Sequence, residues 1–125
     1  MQFKRSEGFR YEFPSPLDAN YKLLVNGRKE SFDEPIYECK IHDISPRGMK
    51  MFSEENFGEH SNKMLQIEIQ FILDEVSISA IGDVVWTKPY ANGRLHGIIF
   101  TDQPQLEDII ISELKARRRK ELAQG

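Results

Sequence analysis

Leu65-Gln66-Ile67-Glu68-Ile69-Gln70-Phe71 alternates apolar and polar side chains without a break. A strand repeats its side-chain direction every second residue. Leu65, Ile67, Ile69 and Phe71 therefore share one buried face, and Gln66, Glu68 and Gln70 share a wet one. Upstream, Tyr37, Cys39 and Ile41 oppose Glu38, Lys40 and His42, which gives a second half-buried strand from Ile36 to Asp43. A third covers Ala19 to Val25, with Tyr21, Leu23 and Val25 on one face, and ends in an Asn26-Gly27 turn. The polar stretch 28–35 suits a loop. Met49 to Phe52 is a short return strand.

Downstream, Asp74-Glu75 makes a turn into a longer strand, Val76 to Trp86, in which Gly82 signals a bulge or a close backbone approach. Asn92-Gly93 is a second hairpin turn, and Leu95 to Phe100 completes the set. Six antiparallel strands with no helix between them predict an all-β fold, a small closed or nearly closed barrel. The period then changes. Thr101 or Asp102 is placed to cap a helix and Pro104 to enter its first turn. Leu106, Ile109, Ile110 and Leu114 fall at helical spacing, a stripe that would pack on the barrel. The expected helix spans about 103–122. Pro14 and Pro16 interrupt the other end, so 1–16 reads as an extended arm and 17–125 as the barrel with its helix.

The chain has 125 residues, enough for one core and one domain, and its 39% hydrophobic and 30% charged content is that of a folded globular protein. A formal net charge of −3 argues against a protein that coats nucleic acid through its overall field. One cysteine, Cys39, forms no intrachain disulfide and no thiolate metal site by itself, and its place in an alternating strand reads as a small buried hydrophobe. No apolar run approaches the roughly 18 residues that a membrane span needs, and Met1-Gln2-Phe3-Lys4-Arg5 lacks the apolar segment of a secretory signal. A reducing cytoplasm is the expected location, with no membrane insertion.

Two segments carry recognition chemistry. In Asp43-Ile44-Ser45-Pro46-Arg47-Gly48, a carboxylate offers two oxygens to paired donors such as those on a guanine edge, a serine adds a hydroxyl, and a glycine admits close backbone approach. The same residues also favour an ordinary turn. In Lys4-Arg5-Ser6-Glu7-Gly8-Phe9-Arg10, two guanidiniums on an extended arm form a clamp for phosphate or for the N7/O6 edge of guanine, or else a solvated basic terminus. His42, His60 and His96 have no Cys or carboxylate at ligand spacing, so no metal is expected. No Ser-His-Asp order, P-loop or paired-carboxylate signature is visible, so no catalysis is expected. Arg117-Arg118-Arg119-Lys120 reads as a solvated helix end favoured by the macrodipole, or as a contact to a partner protein or nucleic acid. Trp86 reads as a core or rim aromatic.

Taken in order, these segments resemble the PilZ family. Its marks are an Arg-x-x-x-Arg arm, Asp-x-Ser-x-x-Gly, a Gly-x-Val-Val-Trp strand and a Gly-Ile-x-Phe strand. Asp43–Gly48 matches in full, and Gly82-Asp83-Val84-Val85-Trp86 and Gly97-Ile98-Ile99-Phe100 follow at fitting separations. The helix running into Arg117-Arg118-Arg119 also looks like the family's ending. The arm departs from the pattern: Arg5 and Arg10 are five apart, and Ser6 occupies the place of the first arginine. In an extended chain such a pair points to opposite sides. Either Gly8 absorbs the extra residue in a bulge, or Arg5 is a neighbouring basic position.

The resemblance implies a bacterial binding module for the second messenger cyclic di-GMP, with no other cofactor. It implies that Arg5 and Arg10 grip phosphate and guanine, that Asp43 and Ser45 read guanine, and that Gly48 allows the approach. A mobile arm ordered by an anionic dinucleotide would present a new surface to an effector protein. The alternative is a PilZ-fold interaction module that has lost the nucleotide.

Overall fold

A computed structural model describes residues 10–25, 35–55 and 65–124. Arg5, Ser6, Gly8, His60 and the Asn26-Gly27 turn lie outside the described residues. Six strands are followed by one helix among those described: β1 (Tyr11–Val25), β2 (Tyr37–Ser45), β3 (Gly48–Ser53), β4 (Leu65–Ile72), β5 (Ser77–Tyr90), β6 (Gly93–Phe100) and α1 (Leu106–Gln124). The strands form a closed antiparallel barrel in the order β1-β2-β3-β6-β5-β4, with β1 pairing β4 to close it. Closure leaves every strand with two neighbours, which removes the exposed edges that a flat sheet would offer.

The expected alternation places the core. Ile67, Ile69 and Phe71 of β4 point inward with Cys39 and Ile41 of β2 and Tyr21 and Leu23 of β1, and all are buried. Burial pushes the Cys39 thiol up to about 12, with the nearby Asp18 charge adding to the effect, so it remains a protonated core group. The strand bounds differ from expectation in instructive places. β1 begins at Tyr11, not Ala19, because its ladder with β2 is irregular between Glu12 and Leu17, and Pro14 and Pro16 sit within that irregularity. Residues 11–16 are thus strand. At the β5–β6 hairpin, Tyr90 pairs Gly93, so Ala91 and Asn92 form the turn, and Ala91 carries the positive φ of 50°.

The helix starts at Leu106, three residues later than expected. Gln105 takes a left-handed φ of 65°, and its carbonyl accepts the first helical bond from Ile109. Neither Thr101 nor Asp102 caps it. The Thr101 hydroxyl instead donates to the Ile81 carbonyl, and the Gln103 amide exchanges two bonds with the Ile81 backbone. Leu106, Ile110 and Leu114 are buried on the barrel, each stabilising the fold by about 2 kcal/mol. Ile109, expected in that stripe, faces outward instead.

Polar contacts then fix the helix in place. The Glu113 carboxylate accepts the backbone N–H groups of Asp74, Glu75 and Val76. Lys120 pairs with Asp74 at 2.8 Å, and Arg117 donates to the Leu73 carbonyl at 2.8 Å. Arg117 also lies over the rings of Tyr11 and Phe13. The helix therefore covers the barrel end where β1 begins and the β4–β5 turn sits.

His96 of β6 is fully buried beside the Thr87 hydroxyl, 2.8 Å from its Nδ1. Burial, with a smaller contribution from Arg94, lowers its pKa from 6.5 to about 4. As pH falls through this window the unfolded chain takes up a proton that the folded chain refuses, so stability is lost on acidification. Chemical denaturation should show about 2 kcal/mol less stability at pH 5 than at pH 7 from this group. In His96→Gln that part of the pH dependence should vanish; an unchanged difference would refute the assignment.

Candidate functional site

Two bulges decide which side chains reach the outer face of the barrel. In β2, Ile41 pairs Met51 and Asp43 pairs Lys50, which leaves His42 as the extra residue. Unbroken alternation from Ile41 would turn Asp43 into the core, where an ionised carboxylate is costly. The inserted residue reverses the faces. Ile44 becomes fully buried, in an inward row with Tyr11, Met49, Ile98 and Val84. In β5, Val84 pairs Ile98 and Trp86 pairs Gly97, so Val85 is extra and the indole turns outward.

These two reversals align one transverse row on the outer face. Glu12 of β1 pairs Asp43 of β2, Asp43 pairs Lys50 of β3, Lys50 pairs Gly97 of β6, and Gly97 pairs Trp86 of β5. The Arg10 guanidinium bonds the Asp43 carboxylate at 2.5 Å, and Lys50 lies 3.5 Å from its other oxygen. Asp43 is only 3% exposed, whereas the Arg10 and Lys50 side chains remain 46% and 39% exposed. The anion is sunk in the floor and its two cations face solvent. Trp86 lies across Gly97, where any Cβ would stand 2.1 Å from the indole Nε1, so only glycine admits the ring there. Lys88 sits 5.8 Å over the ring centroid.

The row floors a groove of about 870 Å³, bordered by the Pro46-Arg47 turn and by the segment from Thr101 to Glu107 that leads into α1. Arg10, Asp43, Ser45 and Gly48 all line it, so four of the five residues singled out in the sequence come together; Arg5 lies outside the described residues. Within the turn, Ser45 and Gly48 also work locally. The Ser45 hydroxyl accepts the Arg47 N–H and lies 3.4 Å from the Gly48 carbonyl. A Cβ on Gly48 would stand 2.3 Å from the Ile98 carbonyl oxygen, so the neighbour this glycine admits in the fold is strand β6.

A family model for the PilZ domain matches residues 2–116. The chain belongs to the PilZ domain family. Among solved structures, it resembles the PilZ domain with c-di-GMP of YcgR from Escherichia coli, at a TM-score of 0.63 and 15% identity over 94% of this chain and 96% of that one. It also resembles the PilZ domain of CeSA from a cellulose-synthesizing bacterium, at a TM-score of 0.54 and 15% identity over 85% and 96%. No curated protein sequence matches it significantly. At this identity the structural likenesses establish the six-stranded barrel with its C-terminal helix.

The sequence reading of this PilZ domain did not assign Lys50 or Trp86 to the groove. Lys50 looked like any polar position of a short strand, and Trp86 like a core or rim aromatic, of which the structure shows the rim. The only local signals were Gly97, and Gly82, whose Cβ would stand 2.4 Å from the Ile98 side chain, a close approach three residues before the bulge. The basic run was also read too uniformly: Arg117 and Lys120 hold the β4–β5 turn, while Arg118 and Arg119 are exposed. His42 packs edge-on against Tyr90, at 5.5 Å between centroids. Among the described residues no group of three metal-ligating side chains occurs, and no helix is long and apolar enough to cross a membrane.

The fit of indole on glycine can be tested with the chain's one tryptophan. Gly97→Ala should drive the ring off the strand and shift its emission to longer wavelength while the far-ultraviolet dichroism stays that of the barrel. Unchanged emission would show that the ring does not lie there.

Proposed function

We propose that this PilZ domain is a receptor for cyclic di-GMP that binds the dinucleotide in the outer-face groove and passes the signal to a partner protein. The observation that carries the reading is the Arg10–Asp43 pair: a guanidinium half open to solvent, anchored to a nearly buried carboxylate on the floor of a groove large enough for a nucleotide. Arginine carries five N–H donors, and the bond to Asp43 goes through Nη1. The rest of its planar fork suits phosphate oxygens or the O6/N7 edge of guanine. Asp43, which faces Lys50 as well, offers acceptor oxygens to the N–H groups of a guanine Watson–Crick edge. The exposed indole of Trp86, in the same row, offers a flat apolar surface to a base.

Arg5 would join the grip through a bulge at Gly8 that absorbs the extra residue of the arm, and Ser45 and Gly48 shape the turn against which the ligand would lie. The similar structure from Escherichia coli is a PilZ domain of YcgR with c-di-GMP, which supports the same ligand class here. The reaction class is binding without turnover. In a bacterium the consequence would be an arm held against the barrel in the bound state and a composite surface for an effector.

Isothermal titration of cyclic di-GMP against wild type, Arg10→Ala and Asp43→Ala tests this directly. Wild type should bind, and each variant should lose roughly ten- to a hundredfold in affinity, the worth of one bidentate or charge-assisted contact. Equal binding by all three would place the ligand elsewhere. Absence of binding by wild type would leave a PilZ-fold interaction module without the nucleotide.

A further inference from the structure

A second, smaller cavity of about 290 Å³ lies between the start of β1 and α1, and Arg10 lines both it and the large groove. Lys115, Arg118 and Arg119 line it from the helix, and among the described residues no acidic side chain does. These three cations fall at positions i, i+3 and i+4, so they share one helix face beside the stripe that docks on the barrel. Leu114 and Tyr11 give the cavity an apolar floor.

The charges of the two cavities differ in kind. In the large groove Arg10 and Lys50 already share the Asp43 carboxylate, and Arg47 lies 3.9 Å from Glu107. Among the described residues, Lys115, Arg118 and Arg119 enter no ion pair. A dianionic ligand gains most from cations whose charge is not yet compensated, and Arg10 joins such a cluster to the groove. Three like charges on one helix face are mutually unfavourable unless an anion sits among them.

We propose that Lys115 and Arg118 of the helix, with Arg10, form a phosphate-binding subsite that extends the nucleotide groove onto α1. One phosphate of the dinucleotide lies between Arg10 and the helix. Arg119 adds field from the outer rim. The ligand thereby contacts the helix as well as the barrel. This rests on the nucleotide reading above.

Titrations of cyclic di-GMP against wild type, Lys115→Ala/Arg118→Ala and the charge-matched control Lys22→Ala/Lys40→Ala, each at several salt concentrations, test the subsite. Both helix positions are exposed and should leave the thermal melt unchanged. The helix double variant should lose about tenfold or more in affinity, as expected for lost contacts between charged groups, and should bind with a shallower salt dependence. The control should lose little. Wild-type affinity in the helix variant, or an equal loss in the control, overturns the subsite while the nucleotide groove stands. No binding by wild type overturns the nucleotide reading and the subsite with it.

Discussion

The site depends on holding one carboxylate almost out of water on the outside of a closed barrel. Asp43 is 3% exposed and pairs with both Arg10 and Lys50. Removing one partner of a buried pair leaves an uncompensated ion, a cost of several kcal/mol in a fully buried setting and less here, where both cations reach solvent. The bulge at His42 exists in the same balance. Without it Asp43 would enter the core and Ile44 would leave it, two errors from a single residue of register. The ladder therefore specifies the recognition groove and the apolar core together.

That coupling preforms the floor of the groove. Asp43, Lys50, Gly97 and Trp86 stand on four consecutive strands of a closed sheet, so their spacing is fixed by backbone hydrogen bonds. Arg10 comes immediately before β1. Its neighbour Tyr11 packs into the core, donates to Glu121 at 2.5 Å and lies under Arg117. A ligand that draws on Arg10 thus acts one residue away from a contact between β1 and the helix.

Much of the barrel was legible because alternation is a local signal. Leu65–Phe71 and Tyr37–Ile41 declare their inward faces without reference to the rest of the chain, and Pro104 and Leu106 announce the change to helix. The positions of the bulges were not legible. A residue such as His42 or Val85 becomes extra only when two strands pair, and nothing in its own neighbourhood requires it. Pro14 and Pro16 misled for a related reason, since an irregular ladder accommodates prolines that an isolated strand would reject. The Asp43–Gly48 segment could be read as a motif or as a turn, and the fold uses it as a turn while lining the groove with it. The union of Lys50, Gly97 and Trp86 with Asp43 is a product of topology, since β6 rather than β4 lies beside β3.

We propose this transverse row as the floor on which the nucleotide lies. It is tested most directly by recording amide and indole N–H resonances of ¹⁵N-labelled protein during a titration with cyclic di-GMP. The largest shifts should fall on the Trp86 indole N–H and on the amides of Asp43, Lys50, Gly48 and Gly97. Shifts confined to other faces of the barrel, or none at all, would contradict it.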